Sequence, residues 1–334
     1  MSEINFCTRV EIPKSPFDMS YQDRLMFLGS CFADYMGLKM VKHGWDAHVN
    51  PFGVLYNPLS IASGCECLLK PKPFEERDLF EYNGLVHSFM HHSQFSEQSV
   101  EVALAKINAS LADAASHFAS ISYLIITFGT AYVYRLKSDG RLVANCHKMP
   151  ASLFDRELLT VNQIVDEWSI LIDKVLSDNA ALKIIFTVSP IRHWKEGAHG
   201  NQISKSILLL AEHTLVEKYA TWASYFPAYE LMMDELRDYR FYADDLLHPS
   251  KMAVDYIRER FYDTYMDAGV IGEIKEFEAI LRDVSHRPFH PSLASNKHFL
   301  IQTMLKIKRL KAKNPYICTS KQEKEIVDRL QELK

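Results

Sequence analysis

The chain has 334 residues, 48% of them hydrophobic and 24% charged, with a formal net charge of -4. These figures allow a sizeable core and give no global field of the kind that draws a protein to nucleic acid. The longest apolar runs, 123–128 and 184–188, fall far short of the roughly 18 residues a membrane span needs, so no span is expected.

The opening residues, Met1-Ser2-Glu3-Ile4-Asn5-Phe6, carry an early acid and no apolar segment, and do not read as a signal peptide. Six cysteines, Cys7, Cys31, Cys65, Cys67, Cys146 and Cys318, show neither a disulfide framework nor zinc-knuckle spacing. Free thiols in a reducing, cytoplasmic setting are expected. With no internal repeat, the length suggests one large domain, 1–285, and a helical tail, 286–334.

In chain order, the apolar run 24–28 predicts a strand that stops at Gly29, and 31–41 follows at helical spacing. Residues 53–98, rich in Pro, Phe, Asn and His, read as long loops with a small hairpin around Asn83-Gly84. Residues 100–118 form an Ala-rich amphipathic helix, and 123–128 a second strand ending at Gly129. A hairpin is expected from Tyr132 to Asn145, turning at Ser138-Asp139-Gly140. A helix over 161–176 starts after Thr160, a third strand covers 183–188, and helices follow over 201–223 and 252–266. His286-Arg287-Pro288-Phe289-His290-Pro291 reads as a linker, with exposed helices over 297–313 and 321–333 beyond it. Alternation of strands and helices predicts a three-layer α/β fold: a doubly wound parallel sheet covered on both faces, with right-handed crossovers.

Two segments carry chemistry. Gly29-Ser30-Cys31-Phe32-Ala33 puts a serine at a sharp strand-to-helix turn, where the amides of the helix N-terminus favour developing negative charge. A plain helix cap is the bland role for such a serine. In Ala243-Asp244-Asp245-Leu246-Leu247-His248-Pro249, Asp245 lies three residues before His248, a spacing that lets a carboxylate hold an imidazole while its other nitrogen faces a nucleophile. Pro249 keeps His248 extended and out of the next helix.

The pentapeptide Gly29–Ala33 is the one that names the GSCFA family, grouped with the SGNH (GDSL-like) hydrolases. Asn50-Pro51-Phe52-Gly53, Phe128-Gly129-Thr130-Ala131, Val188-Ser189-Pro190-Ile191-Arg192-His193 and Asp245-Leu246-Leu247-His248-Pro249-Ser250 resemble the same family, over about residues 20–265. The resemblance implies a flavodoxin-like SGNH hydrolase fold, with Ser30 as nucleophile, His248 as general base and Asp245 as its orienting partner. It implies an oxyanion hole built from the Ser30 amide and Gly53, the glycine of the second block, for which an ordinary turn is the equal alternative. The third block departs from the pattern: Ala131 stands where an oxyanion asparagine is usual. Thr130, Asn50 and Asn57 are the candidate replacements, and losing one such donor typically costs about 100- to 1,000-fold in rate. The aspartate of the Gly-Asp-Ser block is also absent.

Arg192 and His193 should emerge at the same sheet edge, where they either meet an anionic or polar substrate group or, in the case of Arg192, brace a loop carboxylate. Cys31 is a rival nucleophile at the helix N-terminus. His87, His91 and His92 cluster without a third ligand at defined spacing, so no metal is expected. His147 and Lys148 flank the predicted hairpin. The basic run 306–313 reads as a solvated face or a partner-docking surface. The expected activity is a cofactor-free serine esterase acting on a small-molecule or carbohydrate acyl ester. The alternatives are an O-acyltransferase with the same triad and a non-catalytic glycan-binding module.

Overall fold

The computed structural model describes residues 7–288 and 294–333. Phe289, His290 and Pro291 of the expected linker, and the opening Met1–Phe6, lie outside the described residues. The chain begins its core with β1 (Arg24–Gly29), α1 (Cys31–Lys42) and β2 (Asp46–Val49). Next come α2 (Pro58–Leu69), the hairpin β3 (Leu79–Tyr82) and β4 (Leu85–Ser88), and α3 (Val100–Phe118). After β5 (Tyr123–Phe128), an antiparallel excursion holds β6 (Tyr132–Leu136), β7 (Leu142–Val143) and β8 (Phe154–Leu158). The core resumes with α4 (Val161–Asp178), β9 (Lys183–Val188), α5 (Gly197–Lys218), β10 (Ala223–Tyr225) and the short α6 (Ala228–Glu230), which runs into a π-helical turn at Leu231–Glu235. The last helices are α7 (Lys251–Tyr265), α8 (Ala268–Ser285), α9 (Ala294–Lys313) and α10 (Ser320–Gln331).

Five strands form one parallel sheet in the order β10-β9-β5-β1-β2. Central Phe27 faces Val49 on one side and Ile125 on the other. Alternate residues of each strand enter opposite cores, as the two-residue period of a strand requires. Leu25, Phe27, Ile125 and Ile185 join α1, α7 and the C-terminal helices. Met26, Leu28, Ile126 and Phe186 join α2 to α5. The fold is therefore mixed α/β, with a central parallel sheet between helical layers and a C-terminal helical region. The strand order reverses between β1 and β5, and the crevice beyond the carboxyl ends of strands at such a switch point is the usual ligand site of an open α/β sheet. No described helix is long and apolar enough to cross a membrane.

Three local expectations change. The stretch 53–98 holds a full helix, α2, N-capped by Asn57 with Pro58 at its first turn. Its apolar period is weak because it is wedged into the core, with Gly64 packed near Leu55 and Phe52. The excursion after β5 is three-stranded: β8 pairs with β6 on the side away from β7. The C-terminal helices are not simply exposed, since Leu300, Ile307, Leu310 and Ile326 are buried. The lysines of the basic run reach acids on neighbouring helices, Lys306 to Asp283 and Lys311 to Glu323.

Candidate active site

β1 delivers Ser30 to the sheet's carboxyl edge. It ends at Gly29, whose φ is +142° and where a β-carbon would lie 2.2 Å from the Thr127 carbonyl oxygen. Only glycine lets β1 run this close to the end of β5. Ser30 is buried and is the N-cap of α1; its Oγ accepts the Phe32 amide at 3.3 Å. The cap and a nucleophile's position at a helix N-terminus are thus the same place.

His248 arrives from the loop before α7. Ala243 N–H donates to the His248 carbonyl at 2.8 Å, and Leu246 turns the loop with a φ of +59°. Asp245 Oδ1 accepts the amides of His248 at 2.9 Å and Leu247 at 3.0 Å. Its Oδ2 lies 2.5 Å from His248 Nδ1. The two amide bonds and the imidazole hold the Asp245 carboxyl down to about 2. A carboxylate acceptor at Nδ1 places the ring proton there, so in the neutral imidazole Nε2 is the lone-pair nitrogen.

Ser30, His248, His193, Arg192, Thr130 and Tyr56 line one cleft of about 340 Å³. Larger hollows, of about 1110 and 550 Å³, lie among the C-terminal helices and touch none of these residues. The cleft brings Ser30 and His248 together on one wall system, though no hydrogen bond joins them. Opposite Ser30, a β-carbon built on Gly129 would sit 3.3 Å from Ser30 Cβ, 3.1 Å from His193 Nε2 and 2.9 Å from the Tyr56 carbonyl oxygen. The bare glycine lets the His193 ring edge and Ser30 face the same space. That Nε2 is buried and has no hydrogen-bond partner among the described residues. Burial, then Lys205 and His248, push His193 down to about 3, which leaves the ring neutral.

The GSCFA family model matches residues 24–261. The chain belongs to the GSCFA family. A second model, GSCFA domain protein, C-terminal domain, matches residues 277–332. No curated protein and no solved structure matches the chain.

Several expected site residues of this GSCFA protein take other places. The Gly53 amide donates to the Asn50 carbonyl at 2.7 Å, and a β-carbon there would strike His92, so Gly53 closes a turn and does not line the cleft. Asn50 is likewise engaged: Oδ1 accepts the Gly29 amide at 2.8 Å and Nδ2 donates to Asp34 Oδ1 at 2.6 Å. The Ser30 amide donates to the Thr127 carbonyl at 3.2 Å. Thr130 reaches the cleft, but its hydroxyl pairs with Ser204 at 3.1 Å. Ala131 points into the core. Asn57 lines the cleft while its side chain caps α2 through Ser60. Arg192 braces no loop carboxylate among the described residues. Cys31 contacts the Tyr56 hydroxyl at 3.5 Å, and burial raises its thiol pKa, the opposite of what a thiolate nucleophile needs. His87 pairs with Ser96 and the Tyr82 carbonyl, His91 with Ser88, and His147 with the Ser88 carbonyl, so these rings stitch the irregular region together.

The inner face of α5 was not foreseen. Asn201, Ser204, Lys205, Leu208, Ala211, Glu212 and Leu215 are its buried stripe. Asn201 Oδ1 accepts the His193 amide at 3.0 Å, and Ser204 Oγ accepts the Ala131 amide at 2.8 Å. Lys205 Nζ donates to the carbonyls of Gly129 at 2.8 Å and Ser189 at 2.7 Å. The signal was in the sequence: polar residues at positions 201, 204 and 205 share the helical period of the leucines that follow.

Proposed function

We propose that this GSCFA protein is a serine esterase of SGNH type acting on a small acyl ester. Ser30 Oγ attacks the ester carbonyl while His248 Nε2 takes its proton. Asp245 fixes the tautomer and stabilises the imidazolium. The tetrahedral intermediate collapses, His248 returns the proton to the leaving alcohol, and water then releases the acid from the acyl-serine by the same steps in reverse.

The oxyanion needs donors other than Gly53 and the Ser30 amide, which are engaged. His193 Nε2, unpartnered and facing the space beside Ser30, supplies one in the tautomer that carries the ring proton on that nitrogen, and the α1 N-terminus adds its partial charge. His193 is unsuited to the base role, because a ring with a pKa of about 3 is a poor proton acceptor near pH 7. Tyr132, Tyr134 and Trp194 line the same cleft, Tyr132 with one face under the Arg156 guanidinium at 3.8 Å, and aromatic lining of this kind favours a carbohydrate ester.

The observation that carries this reading is the Asp245–His248 pair opening on the same cleft as a helix-capping serine. Hydrolysis of p-nitrophenyl acetate tests it. Ser30→Ala should cost several orders of magnitude, and a fluorophosphonate should label Ser30. Equal rates in wild type and Ser30→Ala would leave a binding module. Loss only in Cys31→Ala would move the nucleophile to the thiol.

A further inference from the structure

Arg192 stands apart from the other cations of the cleft. With Trp194 it lines both the 340 Å³ cleft and a neighbouring cavity of about 520 Å³. Its guanidinium carbon lies 5.5 Å from the Trp194 ring centre. Its Nε is buried without a hydrogen-bond partner, and the group has no ion pair among the described residues. The acids around it are engaged elsewhere. Asp245 is held by His248 and two amides, Asp238 lies 3.6 Å from Arg240, and Glu196 pairs with Arg156. Lys195, also on the cleft, donates to the Tyr134 hydroxyl at 2.5 Å and has no ion pair among the described residues. The cleft therefore holds two cations, Arg192 and Lys195, with no ion pair to a protein acid among the described residues, beside the serine and histidine.

A partly buried guanidinium without a counter-charge is costly unless something supplies one. We propose that the substrate carries an anionic oxygen group, carboxylate or phosphoryl, and that Arg192 binds it. The planar fork of an arginine matches such a group with two parallel hydrogen bonds, and Trp194 beneath it restricts the orientation of the fork. The inference rests on the esterase reading for the ester and names the class of molecule that bears it.

The experiment compares matched esters: mono-p-nitrophenyl succinate against p-nitrophenyl butyrate, the first carrying a carboxylate on the acyl chain, and 5-acetoxy-2-nitrobenzoate against p-nitrophenyl acetate, with the carboxylate on the leaving group. In at least one pair wild type should prefer the anionic member. Arg192→Met should lower the anionic-to-neutral ratio of kcat/KM by about 10- to 100-fold, mainly through KM, and Arg192→Lys should restore part of it. Succinate and inorganic phosphate, as competing inhibitors, separate the two anion sources by which binds more tightly. A ratio unmoved by Arg192→Met in both pairs overturns the inference. Calorimetric titration of succinate and of phosphate into Ser30→Ala keeps the two readings distinct. Binding lost in Ser30→Ala/Arg192→Met, with no Ser30-dependent hydrolysis anywhere, keeps the anion site and removes the esterase. Ser30-dependent hydrolysis with an unmoved ratio does the reverse.

Discussion

Replacing His193 separates two roles that one imidazole beside a serine can play. Its Nε2 shares the space over Gly129 with Ser30, its backbone amide is fixed by Asn201, and its ring stands edge-on to Tyr56 with centroids 5.5 Å apart. If Nε2–H holds the oxyanion, His193→Ala removes a donor needed only in the transition state. The expected loss is about 100- to 1,000-fold in kcat, or about 2.7–4 kcal/mol, with KM little changed. Because burial keeps the ring uncharged well below pH 6.5, the shape of the pH–rate profile should survive the substitution while its plateau falls. His193→Gln, which keeps an N–H at similar reach, should recover part of the loss. The assay is p-nitrophenyl acetate hydrolysis between about pH 5 and 9. A loss of under about threefold would refute the donor role. Disappearance of the acid limb in His193→Gln, with His248→Ala retaining activity, would make His193 the base instead.

Other outcomes follow from the same geometry. Asp245→Asn should lower kcat by about 10³- to 10⁴-fold by presenting the wrong tautomer, with the folded state intact by circular dichroism. Gly129→Ala should lower kcat at least about tenfold and stability by about 1–3 kcal/mol, since its methyl meets the Tyr56 carbonyl, His193 and Ser30 together. Asn50→Ala should cost about 2–4 kcal/mol in urea unfolding, because it orphans the buried Gly29 amide and leaves alanine at a φ of +44°. His91 and His193 are both pushed down to about 3 by burial, so the unfolded chain binds more protons between pH 6.5 and 3. Stability should fall with acidification by about 1.4 kcal/mol per pH unit for each ring. His193→Gln should lessen that slope in urea titrations at pH 7 and 5, and an unchanged slope would show that the ring is not held neutral.

Much of this was legible in the chain. The central strands are short apolar runs stopped by Gly29, Gly129 and Ser189-Pro190, and the spacing bounds the helix of Val100–Phe118 to the residue. Asn83 and Gly84, with φ of +51° and +75°, turn the small hairpin as that dipeptide predicts. The local bond between Asp245 and His248 was also readable, because three residues of loop fix it. What failed were statements about amides. Whether the N–H of Gly53 or Ser30 is free depends on where the carbonyls of Asn50 and Thr127 fall, and no local pattern carries that. α2 was missed because burial on more than one side removes the amphipathic period on which the expectation depends. The polar part of the α5 stripe is hard to read because Asn201, Ser204 and Lys205 are residue types ordinarily found on a solvated face, although they share the period of Leu208 and Leu215.

Ser30 and His248 lie far apart along the chain, so their shared cleft is only as well formed as the ties between strand ends. Lys205 is the chief of these. One ammonium reaches the carbonyls that close β5 and β9, and so sets the spacing between the Gly129 wall and the loop carrying Arg192 and His193. Burial pushes Lys205 down to about 7, with Glu212 opposing and Arg192 adding to the shift, so holding its charge there costs stability that an apolar residue would not. A methionine could fill the volume but would leave both carbonyls without their donor. α1 is tied at its other end by the C-terminal region: Cys318 N–H donates to the Gly44 carbonyl at 2.8 Å, and Ile317 and Phe277 pack where a Gly44 side chain would be. The helix that begins at the serine is thus gripped from behind by the segment matched as the family's C-terminal domain. That ties the tail to the end of α1 opposite the serine, while none of its described residues lines the cleft.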